Sequence, residues 1–119
     1  MPDILAVDDS PTMRAMVAET LRSAGFNVIT APDGLAAVDI ARHSEVHLVL
    51  TDVNMPGMDG IALVRALRLL PAYQSTPVLV LTTERDDVKQ QVREAGANGW
   101  IPKPFDPDRL IEIVKKFIG

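Results

Sequence analysis

Five short apolar runs recur along the chain: ILAV (4–7), NVIT (27–30), HLVLT (47–51), PVLVLT (77–82) and GWIP (99–102). Their length and β-branched content fit buried strands. Between them lie stretches with helical spacing. After the first run, Met13, Met16, Val17, Thr20, Leu21 and Ala24 recur at the interval that lines one helix face. Ser10 and Pro11 stand where an N-cap and a first helical residue belong, and Gly25 where a helix stops. Asp106 and Pro107 repeat that start signal ahead of a last stripe made by Leu110, Ile113, Val114 and Phe117. Strand and helix alternating in this way predict an α/β domain with a parallel sheet and right-handed crossovers.

The chain has 119 residues, the size of one domain with one hydrophobic centre, and 47% of them are apolar, enough to build it. No linker or low-complexity stretch interrupts it, so residues 1–119 are expected to form a single domain. No apolar run approaches the roughly eighteen residues of a membrane span. The opening MPDILAVDD lacks the basic-then-apolar signature of a signal peptide, and the expected location is the cytoplasm. There are no cysteines, which excludes disulfides and thiolate chemistry. His43 and His47 fall at the end of a helix and the start of a strand, and are expected as surface residues rather than metal ligands. The net charge is −4 without a long Lys/Arg cluster, which argues against nucleic-acid binding.

One helical stretch differs from the rest. RDDVKQQVREA, at about 85–95, offers only Val88, Val92 and Ala95 as an apolar stripe. It is expected to be weakly anchored and largely exposed, either a solvated surface helix or a mobile docking element.

In a parallel sheet all strand carboxyl ends lie along one edge, where ligands bind beside the point at which strand order reverses. A flavodoxin-like (βα)5 sheet of order 2-1-3-4-5, with helices on both faces, makes strands 1 and 3 neighbours at that point. Asp8 and Asp9 follow strand 1 and Asp52 follows strand 3. Thr82 ends strand 4, and strand 5 leads into Lys103. Three clustered carboxylates repel one another unless protonated or bound to a cation. Hard oxygen ligands suit Mg²⁺, with Mn²⁺ as a substitute. A cation and Lys103 can neutralise phosphoryl oxygens while a carboxylate oxygen attacks in line. Asp52, alone on its strand end and central, is the best nucleophile, and its product would be an acyl phosphate. Thr82 can donate a hydrogen bond to a phosphoryl oxygen. Taken alone, Thr82 reads first as a β-branched residue ending a strand.

With those residues in view, the chain resembles the receiver domain of bacterial two-component response regulators. VDDS (7–10) resembles the family's acidic pair, DVNMPGMDG (52–60) its phosphoacceptor motif, LTTE (81–84) its hydroxyl switch segment and KPF (103–105) its lysine–proline motif. The four occur in order on matching strand ends and span essentially the whole chain.

The resemblance implies phosphorylation on Asp52. It also implies Mg²⁺ held by Asp8, Asp9, Asp52 and the backbone carbonyl of Asn54, and phosphoryl contacts from Thr82 and Lys103. It implies a cis Lys103–Pro104 bond. Trp100 occupies the position of the family's switch aromatic, usually Tyr or Phe. Within the family, Asn54 and Glu84 resemble the single-domain, CheY-like chemotaxis regulators, which implies a histidine kinase of the CheA type as phosphodonor. The flagellar motor switch protein is the implied target and a phosphatase a further partner, the regulator itself being a monomer. Thr83 and Pro102 depart from the usual pattern, and Thr83 is bulky enough to narrow access to Asp52. The chain would signal through another protein, with no output domain of its own and no turnover of an external substrate.

Other tasks fit the same fold: a phosphorelay shuttle, a phosphate sink or a cell-cycle regulator. A haloacid-dehalogenase-like phosphatase would want an acid two residues beyond Asp52, where Asn54 stands. A flavodoxin-like cofactor protein would want a phosphate loop where Asp8 and Asp9 stand.

Overall fold

The computed structural model describes residues 3–83 and 86–118. Strands β1 (Asp3–Val7), β2 (Asn27–Ala31), β3 (Leu48–Asp52), β4 (Val78–Thr82) and β5 (Gly99–Pro102) alternate with helices α1 (Pro11–Ser23), α2 (Gly34–His43), α3 (Gly60–Leu69), α4 (Asp86–Ala95) and α5 (Pro107–Ile118). One turn of 3-10 helix, Pro71–Tyr73, follows α3. Every strand pair is parallel, and the order is β2-β1-β3-β4-β5, the flavodoxin-like arrangement expected from the sequence.

Alternation along the strands divides the apolar side chains between two faces. Leu5, Val7, Val49, Val78 and Val80 pack against the inner stripes of α2, α3 and α4. Ile4, Ala6, Leu48, Leu50, Leu79, Leu81 and Ile101 pack against α1 and α5 through Val17, Ala18, Leu21, Leu110 and Val114. Of the three interior strands, β3 and β4 are therefore buried at every position.

Helix starts follow the short-polar rule. Ser10 Oγ accepts the Met13 N–H at 3.2 Å, with Pro11 as the first helical residue. Asp33 and Asp59 cap α2 and α3 in the same way, each at 2.8 Å. Asp106 accepts the Asp108 N–H at 3.1 Å at the start of α5. After α1 the chain turns through Gly25 at φ 97, a left-handed conformation that favours glycine.

Strand β3 runs one residue further than its apolar run. Asp52 pairs in register with Leu81, so it is the last residue of β3 just as Thr82 is the last of β4. The ladder with β4 outweighs aspartate's poor strand propensity.

Helix α4 buries Val92 and Ala95, half-buries Val88, and exposes Gln90, Gln91, Arg93 and Glu94. Its carboxyl end is held from α3. Arg68 donates to the Gly96 carbonyl through Nε (3.1 Å) and Nη2 (2.9 Å), and to Asn98 Oδ1 at 2.9 Å. Its Nη1 reaches the carbonyls of Tyr73 (2.6 Å) and Thr76 (2.7 Å). Among the described residues, no helix is long and apolar enough to cross a membrane.

Candidate phosphoacceptor site

The topology delivers β1 and β3 side by side, so their ends meet at the strand-order reversal. Asp8 is the first residue past β1 and Asp52 the last of β3. Asp8, Asp9 and Asp52 each offer a carboxylate oxygen, and these oxygens lie within 4.8 Å of one another. Asp8 and Asp52 are buried, at 3% and 5% exposure, while Asp9 faces solvent.

Asp8 is fixed at three of its four polar atoms. Its N–H donates to the Ala31 carbonyl at 3.2 Å. Its carbonyl accepts from Arg14 Nη1 at 2.8 Å, and its Oδ1 accepts the Ser10 N–H at 2.9 Å. The fourth atom, Oδ2, is buried and has no hydrogen-bond partner among the described residues. Burial is the main force raising the Asp8 pKa above its ordinary 3.8. The Ser10 N–H opposes it, Asp52 adds to it, Lys103 opposes it, and Asp9 adds a last increment.

The Asp52 carboxylate is held on one oxygen. Oδ1 accepts the Val53 N–H at 2.8 Å and the Lys103 ammonium at 2.6 Å. Among the described residues Oδ2 takes no hydrogen bond. Lys103 is carried to this position by β5, and its bond to Pro104 is cis. Thr82 is buried at the end of β4, beside β5, and its Cα partner there is Pro102.

A buried, unpartnered carboxylate oxygen among three acids is the donor set a hard divalent cation takes. The residues present therefore fit Mg²⁺ chemically.

The remaining candidates lie around this centre. Asn54 is exposed two residues past Asp52, and Thr83 and Pro102 are exposed at the ends of β4 and β5. Trp100 is half-buried on β5, against α4, with Lys89 Nζ 5.2 Å and Arg93 Cζ 5.4 Å from its ring centre. Glu84 lies outside the described residues. His43 and His47 are exposed on separate elements, and His47 Nδ1 accepts the Asp3 N–H at 3.0 Å. A surface cavity lined by Arg42, Glu45, Tyr73 and Pro77 among others lies beside the amino ends of β3 and β4 and shares no residue with the carboxylate site.

Gly60 belongs to the site although only its place in the 52–60 motif pointed to it. A Cβ there would lie 2.1 Å from the Asp52 carbonyl oxygen and 2.9 Å from Val53 Cα. Its N–H donates to the Val53 carbonyl at 2.8 Å. The first residue of α3 thus presses directly on the backbone that carries Asp52.

The parallel order 2-1-3-4-5, with three acids and a lysine gathered at the carboxyl edge, defines a flavodoxin-like α/β domain with an acidic strand-end site. The chain belongs to the response regulator receiver domain family, whose model matches residues 4–115. It is similar to the chemotaxis protein CheY of Pseudomonas aeruginosa, with 40% identity over 116 residues, 95% of this chain and 93% of the relative. Its fold matches the chemotaxis protein CheY4 of Vibrio cholerae with a TM-score of 0.95 and 42% identity, covering 98% of each chain. It also matches the receiver domain of a sensor histidine kinase from Pseudomonas aeruginosa PAO1, solved with a magnesium ion coordinated in its active site cleft. That match has a TM-score of 0.92 and 29% identity, covering 99% of this chain and 98% of the other.

Proposed function

We propose that this chain is a phosphoacceptor signalling protein, a single receiver domain over residues 1–119 that takes up a phosphoryl group on Asp52 from a histidine kinase. The observation that carries this reading is the one-sided restraint of Asp52. Lys103 and the Val53 N–H hold Oδ1, so Oδ2 is the oxygen available to attack phosphorus. The Oδ2–P bond forms as the P–N bond of a phosphohistidine breaks, and the leaving imidazole nitrogen keeps the electron pair. Lys103 offsets the charge gathering on the phosphoryl oxygens, and Thr82 offers a hydroxyl to one of them.

Asp8, Asp9, Asp52 and the carbonyl of Asn54 would hold Mg²⁺, with Mn²⁺ as a substitute. That ion, when bound, supplies charge neutralisation to the phosphoryl oxygens. The orphaned Asp8 Oδ2 supports this assignment, as does the magnesium-bound receiver relative.

The likeness to CheY proteins supports a role in chemotaxis, with a CheA-type kinase upstream and a flagellar motor switch protein as the phosphorylation-dependent target. The face formed by α4, β5 and α5 is the output surface in this reading. Thr82 couples the phosphoryl group to Trp100, and Thr83, Asn54 and Glu84 modulate its lifetime. The phosphoryl group resides on the protein's own side chain, so the chain acts as a signal carrier and not as an enzyme on external substrates.

Intact-mass measurement after incubation with a small phosphodonor and Mg²⁺ tests the assignment. One added phosphoryl group is expected on wild type and none on Asp52→Asn. Stoichiometric labelling of the variant would remove Asp52 from its role.

A further inference from the structure

Arg14 stands where helix electrostatics disfavour it. It lies in the first turn of α1, where the exposed N–H groups give the helix end a partial positive charge that favours acids over cations. α1 has no acidic residue in that turn to offset it. Its backbone is locked there by the Arg14 N–H donating to the Ser10 carbonyl at 2.9 Å. The side chain folds back past the start of its own helix to reach the Asp8 carbonyl at 2.8 Å. It is half-buried and packs into the crevice lined by Ala6, Val7, Asp8, Val17, Leu50 and Leu81. Helix stability does not account for this placement, whereas the acid cluster does.

Three bonds fix Asp8, and two of them belong to the backbone frame: the ladder-like bond to Ala31 and the local turn through Ser10. The third, from Arg14, is the only one supplied by a side chain among the described residues. It acts on the carbonyl, behind the carboxylate, so it restrains the β1–α1 turn without occupying a carboxylate oxygen. With it in place, Asp8 Oδ2 lies beside Asp9 and Asp52 without a hydrogen-bond partner among the described residues, despite the repulsion between the acids.

We propose that Arg14 is a positioning residue for the divalent-cation site, holding the Asp8 carbonyl so that Oδ2 is presented to the ion. This rests on the reading of the acid cluster as a Mg²⁺ site. Two effects of removing Arg14 have opposite signs, which makes the proposal decidable. Loss of a nearby positive charge alone would tighten binding of a cation. Loss of positioning would weaken it, and outer partners of metal ligands typically matter by about tenfold or more in affinity.

The experiment is a MgCl₂ titration of the full chain, followed by amide chemical shifts of residues 8–10 and 52–54. Wild type, Arg14→Met, Arg14→Gln and Arg14→Lys are compared. Arg14→Met is expected to weaken Mg²⁺ binding about tenfold. Arg14→Lys, which keeps a donor and the charge, should recover most of the affinity, and Arg14→Gln, which keeps a donor without charge, part of it. The Ser10 amide should also exchange faster in metal-free Arg14→Met, because the turn it closes on Asp8 Oδ1 is loosened. If Arg14→Met does not fold, Arg14→Gln against Arg14→Lys carries the comparison. Unchanged or tighter Mg²⁺ binding in the folded variants would overturn the role of Arg14 and leave the metal site standing. Absence of any Mg²⁺ response in wild type would overturn both.

Discussion

The Lys103 ammonium and the Asp52 carboxylate form a 2.6 Å ion pair that bridges β5 to β3 across the end of β4. Asp52 is nearly buried and Lys103 largely so, with side-chain exposures of 7% and 21%. Removing one partner of such a pair leaves the other uncompensated. Lys103→Met is therefore expected to lower metal-free stability by about 2 kcal/mol, less than for a fully buried pair because Lys103 keeps some solvent. Mg²⁺ should return part of the loss by neutralising the same carboxylates. Urea unfolding with and without millimolar Mg²⁺ measures both quantities. Equal midpoints for variant and wild type in both conditions would mean that the pair is dispensable to the fold.

The raised pKa of Asp8 sets a pH dependence whose sign can be worked out. The folded protein holds the Asp8 proton more tightly than the unfolded chain, whose value is near 3.8. The stability this proton contributes is fully present below 3.8 and is lost as pH rises through the raised value. At neutral pH the ionised carboxylate is thus a liability in the metal-free protein. Asp8→Asn should melt higher than wild type at pH 7 without metal, by about 4 °C for each kcal/mol relieved. The gap should close as pH falls toward 3.8, and the variant should gain less from Mg²⁺ than wild type does. Thermal melts across this pH range, with and without Mg²⁺, check all three. A variant that melts lower than wild type at pH 7 would contradict the burial account.

Gly57, in the loop after β3, and Gly60, the first residue of α3, make a paired test. At Gly60 the constraint is space, because the added methyl would meet backbone atoms of Asp52 and Val53 that cannot swing aside. At Gly57 the surroundings are open and the constraint is φ +76. Gly60→Ala should cost about 1–3 kcal/mol through overpacking and slow phosphoryl uptake, since relief requires moving the Asp52 backbone. Gly57→Asn, which tolerates the left-handed region, should cost well under 1 kcal/mol and leave uptake near wild type. Chemical denaturation together with the time course of added mass distinguishes the two.

The edge that carries the acid cluster was legible in the sequence for one reason, whereas strand positions alone do not fix the order 2-1-3-4-5, which was assumed with the flavodoxin-like fold. A parallel sheet gathers strand ends at one edge, so Asp8, Asp9, Asp52, Thr82 and Lys103 can be placed from strand positions alone. Nothing in local pattern does the same for Gly60, Arg14 or Arg68. Gly60 matters through an approach to Asp52 that depends on how α3 packs. Arg14 matters through a side chain folded back onto a carbonyl six residues earlier. Arg68 binds Gly96, 28 residues away, and its spacing on α3 reads as an ordinary exposed cation until the α4–β5 turn is brought beside it. The weak apolar stripe of α4 was readable, but its two cations gave no sign that they would meet Trp100.

That meeting carries the last prediction. Lys89 and Arg93 are one helical turn apart on α4, and both place their charge over the Trp100 ring. A cation over an indole contributes about 0.5–1 kcal/mol at an exposed site. Arg68 anchors the carboxyl end of α4, so any displacement of the helix pivots there and is largest toward Asp86. In the proposed signalling cycle the acyl phosphate draws Thr82 toward itself and leaves room beside β5 for Trp100 to move. The two cations favour the ring where it now lies. Replacing both with Gln should shift the balance by about 1–2 kcal/mol, or five- to thirtyfold, toward the displaced ring. Trp100 is the sole tryptophan, so its emission reports this directly. The double variant should show, before activation, part of the emission change that wild type shows only with Mg²⁺ and beryllofluoride, a phosphoryl mimic. Its remaining change on activation should be smaller, and amide exchange across residues 86–102 should be faster in the resting state. Emission, quenching and exchange identical to wild type in both states would show that the cation–ring contacts do not restrain the switch.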